Sequence, residues 1–137
     1  MTESNLISSD QIEGYPHPKM TEKLFGHQFA EQEFINCFKS NKLHHGWLIS
    51  GAKGIGKATF AWQMAKFLLT QPMPSVEPNG LFGNSDENHN SDLGENLKKA
   101  MIARILAESE PRLVVVRKSF DDKRKTFRSN IRVDEVR

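Results

Sequence analysis

A single cysteine, Cys37, stands in 137 residues. That scarcity excludes an internal disulfide framework and any cysteine-rich zinc site, so no zinc is expected. One thiol also fits a reducing compartment. No apolar run reaches the roughly 18 residues that a bilayer crossing requires. The most apolar stretch, FAWQMAKFLL, is interrupted by Gln63 and Lys66. The N-terminal MTESNLISSDQIEGYPHPKM lacks the basic start and apolar run of a signal peptide. Net charge is only +2, so no global polyanion-binding signal exists and a basic patch must be argued locally. No internal repeat is visible. These absences leave a cytoplasmic protein with no membrane partner as the expectation. The 26% charged and 37% hydrophobic residues fit one globular domain with a modest core.

Residues 1–20 are polar, with Gly14, Pro16 and Pro18, and are expected to form an extended arm. Ala30, Phe34, Cys37 and Phe38 recur at helical spacing and predict a helix over 28–40. LHHGWLIS then carries a short apolar run into Gly51, as a strand feeding a Gly-rich turn would. Phe60, Ala61, Met64, Ala65, Leu68 and Leu69 fall on one face of a helix expected over 57–70, before Pro72 and Pro74. The region 71–97, rich in Pro, Asn, Ser, Gly and Asp, reads as an exposed, mobile insertion. Within ENLKKAMIARILAESE, the residues Leu97, Met101, Ile102, Ile105 and Leu106 share a face and predict another amphipathic helix. RLVVVRKS after Pro111 reads as a buried-type strand, and FDDKRKTFRSN as a hairpin turn or loop. IRVDEVR is a short β-like run with Asp134 placed as a helix N-cap. The expected class is α/β, a P-loop NTPase parallel sheet flanked by helices, of which these residues supply the N-terminal part.

The stretch GWLISGAKGIGKATF carries the chemistry. It meets the phosphate-loop pattern G-x-x-x-x-G-K-[ST] at Gly51, Gly56 and Lys57, but Ala58 stands where a hydroxyl would hold magnesium. Gly51, Gly54 and Gly56 free the backbone to turn its N–H groups towards phosphate oxygens. The helix that follows aims its positive end at the same anion. The candidate nucleotide-binding residues are Gly51, Ala52, Lys53, Gly54, Ile55, Gly56, Lys57, Ala58 and Thr59. Lys57 would reach the β- and γ-phosphates, Lys53 is a solvated loop charge, and Thr59 is placed for the α-phosphate. The bland alternative is a Gly-rich strand–helix turn that binds nothing. Phosphate binding survives the loss of the hydroxyl better than magnesium-dependent chemistry does, because the metal neutralises charge developing on the phosphoryl oxygens. ATP is therefore the expected ligand, with magnesium weak or absent. Hydrolysis also needs an acidic residue ending a second apolar strand, whereas LVVV runs into Arg117 and Lys118, with Asp121 and Asp122 several residues later. No catalytic residue is assigned.

GHQFAEQEF…NKLHHGWLISGAKGIGKATFAWQMAKFLL resembles the delta-prime family of bacterial DNA polymerase III, AAA+ subunits of the clamp loader. LHHGWLI.G..GIGKAT is the most specific block and is similar to the alphaproteobacterial type, in which Ala commonly replaces the Ser or Thr. The resemblance covers residues 16–70 well and 100–137 moderately, and 71–97 match nothing in it. It implies a truncated AAA+ P-loop domain over 21–137, with the second acidic motif, arginine finger, lid and oligomerisation domain beyond Arg137. It implies other clamp-loader subunits as partners, with primed DNA touched indirectly or weakly. It implies a stator role with poor or absent ATP hydrolysis, and Leu24, Phe25 and Gly26 near the adenine pocket. A small P-loop NTPase or kinase is the enzyme alternative.

Two further groups invite functional readings. Arg117, Lys118, Lys123, Arg124, Lys125, Arg128 and Arg132 form a local basic cluster that suits DNA phosphates or an acidic partner, or else a solvated hairpin tip diluted by Asp121 and Asp122. His44 and His45 would point to opposite faces of a strand and lack a third ligand at metal spacing, which leaves a strand-edge pair at a subunit contact. Trp47 and Trp62 read as core or interface aromatics.

Overall fold

The computed structural model of the chain describes residues 8–71, 92–132, 134 and 136. In chain order these residues form a 3-10 turn at Pro18–Met20, helix α1 at Gln28–Lys39, α2 at Lys57–Thr70, α3 at Asp92–Leu106, and strands β1 at Phe120–Asp121 and β2 at Thr126–Phe127.

Helix α1 forms because its apolar residues recur every three to four positions. Phe34 and Phe38 are buried while Phe29, off that stripe, is 86% exposed. Glu31 in its first turn and Lys39 in its last complement the helix dipole. It ends in a left-handed residue, Asn41 at φ 53°. The Lys42 amide then donates to the Cys37 carbonyl and the Asn41 amide to Phe38, a Schellman closure. Helix α2 occupies the span expected from its pattern. Its last residue, Thr70, donates its hydroxyl to the Lys66 carbonyl at 2.7 Å. Gln71 is extended, as the residue before a proline tends to be.

The core lies between α1 and one face of α2. Phe34, Phe60 and Met64 are its buried centre, with Leu24, Leu43, Ile49 and Phe67 packed against them. Phe67 meets the edges of both Phe34 and Phe38, with centroids 5.8 Å and 5.0 Å apart. Such edge-to-face pairs add about 1 kcal/mol beyond area burial. On α3 the buried side chain is Ile105, fully enclosed, while Leu97 on the expected apolar stripe is 64% exposed.

Four expectations change. The mobile insertion over 71–97 is too long, because α3 begins at Asp92, and residues 92–97 are helical; positions 72–91 lie outside the described residues. Positions 1–7 of the expected arm also lie outside them. The described part of the arm is strapped down rather than extended: the Lys66 ammonium donates to the Lys19 carbonyl, and the His17 ring meets Trp62 edge-on at 6.0 Å. The expected strands over 43–50 and 112–119 are not formed, and the sheet among the described residues is one antiparallel pair, β1 with β2. The expected parallel sheet is therefore not among these residues; of the short β-like run at 131–133, Ile131 and Arg132 are in no strand, and position 133 lies outside the described residues. The physical reason is placement. Leu43 and Ile49 pack with Phe60 and Met64 of α2, whereas 113–118 line a cleft with Ala58, Ala61, Trp62 and Ala65. Each segment lies against different residues of α2, and neither supplies the other's ladder partner.

The charged connection does form a hairpin. Phe120 pairs with Phe127 and Asp121 with Thr126, and the two phenyl rings meet edge-to-face at 5.4 Å. The Asp121 carboxylate accepts the amides of Lys123 and Arg124 across the turn.

Candidate functional site

The glycine-rich loop has the backbone that its sequence requires. Gly51, Gly54 and Gly56 have φ of 148°, 83° and 98°, conformations that side chains disfavour. Gly56 is the left-handed N-cap of α2, and no side chain caps the helix. Its first turn contains no acidic residue. The N–H groups of that turn have no partner within the helix and carry its positive dipole end.

Lys57 folds back over this loop. Its ammonium donates to the carbonyl oxygens of Gly51 at 2.9 Å and Ala52 at 2.6 Å. The lysine thus closes the loop on itself and holds a cation beside the uncapped helix end. Ile55 folds back as well, because a Cβ on Gly51 would lie 2.7 Å from the Ile55 Cδ1 atom. Lys53 and Gly54 sit exposed at the loop tip.

The remaining candidates separate. Ala58 is half-buried and lines the cleft of about 450 Å³ with Trp62 and the 113–118 segment. Thr59 is only 9% exposed, so the side chain placed for an α-phosphate is largely enclosed. Of the residues assigned to an adenine pocket, Leu24 does approach the loop: a Cβ on Gly56 would meet the Leu24 Cδ1 atom at 2.5 Å. Phe25 beside it is 81% exposed. Gly26 has φ 81°, which turns the chain into α1.

Asp121 and part of the basic cluster have structural partners. Asp121 is committed to the hairpin turn and pairs with Arg128 at 3.6 Å. Arg132 pairs with Asp134 at 3.6 Å. Arg117 donates to Asp10 and to both carboxylate oxygens of Glu108, and its guanidinium lies 5.8 Å from the Trp62 ring centroid. Three of the seven residues of the expected basic cluster, Arg117, Arg128 and Arg132, are therefore ion-paired within the chain. His44 leans on Trp47 at 5.9 Å, and no group of three or more metal-capable side chains occurs among the described residues.

Two residues that sequence reasoning passed over hold the site's surroundings. His27 donates its Nε2–H to the Ile55 carbonyl at 2.6 Å and stacks on Phe60. The signal for it was the Gly26-His27 pair preceding the first helix. Glu108, at φ 54°, is the left-handed residue that closes α3, and it accepts from both Arg117 and Lys19. Arg117 hydrogen bonding is the largest influence on its carboxyl; burial opposes it, Lys19 adds to it, and the group lies at about 2. Burial raises the neighbouring Asp10, but the Ser8 hydroxyl and the charges of Arg117 and His17 outweigh it and leave Asp10 below the usual carboxylate range. No periodic sequence signal marks Glu108, because Arg117 lies nine residues from it and Lys19 lies 89 residues from it in the chain.

Comparison with known proteins adds one line of similarity. The chain is 39% identical over 51 residues to a DNA polymerase III subunit gamma of Buchnera aphidicola subsp. Schizaphis graminum, covering 37% of this chain and 14% of that protein. It is 33% identical over 61 residues to the DNA polymerase III subunit gamma of Buchnera aphidicola subsp. Acyrthosiphon pisum, covering 44% of this chain and 17% of that protein. The matched stretches thus span less than a fifth of the length of either relative. No protein-family model matches the chain. No solved structure matches it. Among the described residues, no helix is long and apolar enough to cross a membrane. The chain is therefore similar in part to a subunit of DNA polymerase III.

Proposed function

We propose that this chain belongs to the clamp loader of bacterial DNA polymerase III, as a subunit of the delta-prime type with an AAA+ P-loop architecture. In this reading it helps load the sliding clamp onto primed DNA in the cytoplasm. Its partners are the other clamp-loader subunits. The loop Gly51–Thr59 holds the phosphates of ATP without magnesium chemistry.

One observation carries the reading. Lys57 lies over a loop of three positive-φ glycines, at a helix end with neither a capping side chain nor an acid. An anion there gains the helix dipole, the unpaired N–H groups and the lysine charge together. The partial similarity to two gamma subunits supports the assignment to a DNA polymerase III assembly. The delta-prime assignment rests on the sequence resemblance over 16–70 and 100–137, most specifically on the LHHGWLI.G..GIGKAT block, and Ala58 agrees with a nucleotide holder that does not hydrolyse.

The enzyme reading, a small P-loop NTPase or kinase, calls for a free acidic residue beside the loop. Asp121, the nearest candidate in sequence, is engaged in the hairpin turn instead. Calorimetric titration of the folded chain with ATP, in magnesium and again in EDTA, tests the proposal. Similar binding in both supports it. Binding confined to magnesium would favour the enzyme, and no binding in either would mean a loop kept for architecture.

A further inference from the structure

We propose that His27 is a positioning residue for the phosphate loop, a clasp that keeps the Gly56 N–H turned towards the anion. The inference rests on the nucleotide-holding reading of the loop and adds a residue outside the Gly51–Thr59 motif.

The geometry is specific. His27 stands at the N-terminal boundary of α1 without capping it through its side chain, 28 residues before the carbonyl it holds. A carbonyl oxygen only accepts, so the ring is the donor at 2.6 Å, in its Nε2–H tautomer or its protonated form alike. No peptide bond among the described residues is cis. In a planar trans peptide the C=O and the following N–H point in opposite directions. Holding the Ile55 carbonyl on the His27 side therefore turns the Gly56 N–H to the opposite side.

A free Ile55–Gly56 peptide, with a glycine on one side, flips at low cost. The flipped state aims a carbonyl oxygen where the N–H had been, and that oxygen repels phosphate. His27 opposes the flip from a fixed base, because its ring stacks on Phe60 at 6.5 Å, with 24° between the planes, and Phe60 is buried in the core. Leu24, three residues earlier, closes on Gly56 from the same connecting segment. The linker between the 3-10 turn and α1 thus buttresses the last turn of the loop at two points.

Two variants of the full chain separate donor from shape. His27→Gln keeps an N–H donor of similar reach, and His27→Phe keeps a ring for Phe60 but donates nothing. Circular dichroism verifies folding; should His27→Phe fail to fold, His27→Ala takes its place. In the ligand-free chain, the Gly56 amide resonance in a nitrogen–proton correlation spectrum should shift and broaden in His27→Phe, as the peptide samples both orientations, and stay near wild type in His27→Gln. ATP affinity should fall about tenfold in His27→Phe and within about threefold in His27→Gln, with similar thermal midpoints. Equal behaviour of the two variants in that resonance, or a His27→Phe chain that matches wild type, would overturn the clasp. If the wild-type chain binds no ATP, the nucleotide-holding reading fails, and the resonance comparison still decides whether His27 orients the loop.

Discussion

The δ-methyl of Leu24 lies directly over Gly56, so closely that a Cβ on the glycine would meet it at 2.5 Å. Gly56 also has φ 98°, so two constraints converge on one residue. Gly54, at φ 83°, has open space around it. Gly54→Ala should cost about 1 kcal/mol, the left-handed penalty alone. Gly56→Ala should cost about 3 kcal/mol, because the linker must also shift. Urea midpoints of the two variants test the difference, and equal losses would count against the Leu24 contact.

Ala58 removes the hydroxyl that would hold magnesium. Restoring it with Ala58→Ser should leave ATP affinity in EDTA within about threefold of wild type, and raise affinity in magnesium about tenfold. Titrations of both chains in both buffers read this directly. A serine variant indifferent to magnesium would mean that residue 58 does not face the phosphates.

Glu108 links stability to pH. Its carboxyl lies at about 2 in the folded chain against an ordinary 4.5, because Arg117 and Lys19 donate to it. A depressed folded value means that its contribution is present above about 4.5 and is lost as pH falls towards about 2. The group is part-exposed, so solvent screening holds the contribution to about 1 kcal/mol. Wild type should therefore lose more stability than Glu108→Gln between those two pH values, as followed by urea unfolding. Parallel curves would show the ion pairs to be inert.

The core and the surface phenylalanines of α1 should behave oppositely. Phe34 is 3% exposed and meets both Trp47 and Phe67, whereas Phe29 is 86% exposed. Phe34→Ala should cost about 3–4 kcal/mol, and Phe29→Ala less than about 0.5 kcal/mol. Thermal midpoints distinguish them, and a costly Phe29→Ala would mean that the exposed ring has a partner in solution.

Local signals in the sequence determined much of this protein. The period of Phe34 and Phe38 marked α1, and the run from Lys57 to Thr70, flanked by Gly56 and Pro72, marked α2 residue for residue. The glycine pattern foretold the positive φ of Gly51, Gly54 and Gly56, because only glycine adopts such conformations without cost. These features depend on neighbours three or four residues away, which a sequence displays.

Tertiary structure decided what depends on distant partners. An apolar β-branched run such as Val114, Val115 and Val116 becomes a strand only when another strand supplies its ladder, and here it lies beside α2 instead. Asp92 opened α3 inside a stretch that composition alone assigned to an insertion. The pairing of Glu108 with Lys19 spans 89 residues, and that of Arg117 with Asp10 spans 107. The hold of His27 on the Ile55 carbonyl likewise exists only once α1 and α2 have packed. Periodicity and glycine placement are properties of adjacent residues, whereas ladders, ion pairs and clasps require the chain to bring remote groups within hydrogen-bond reach.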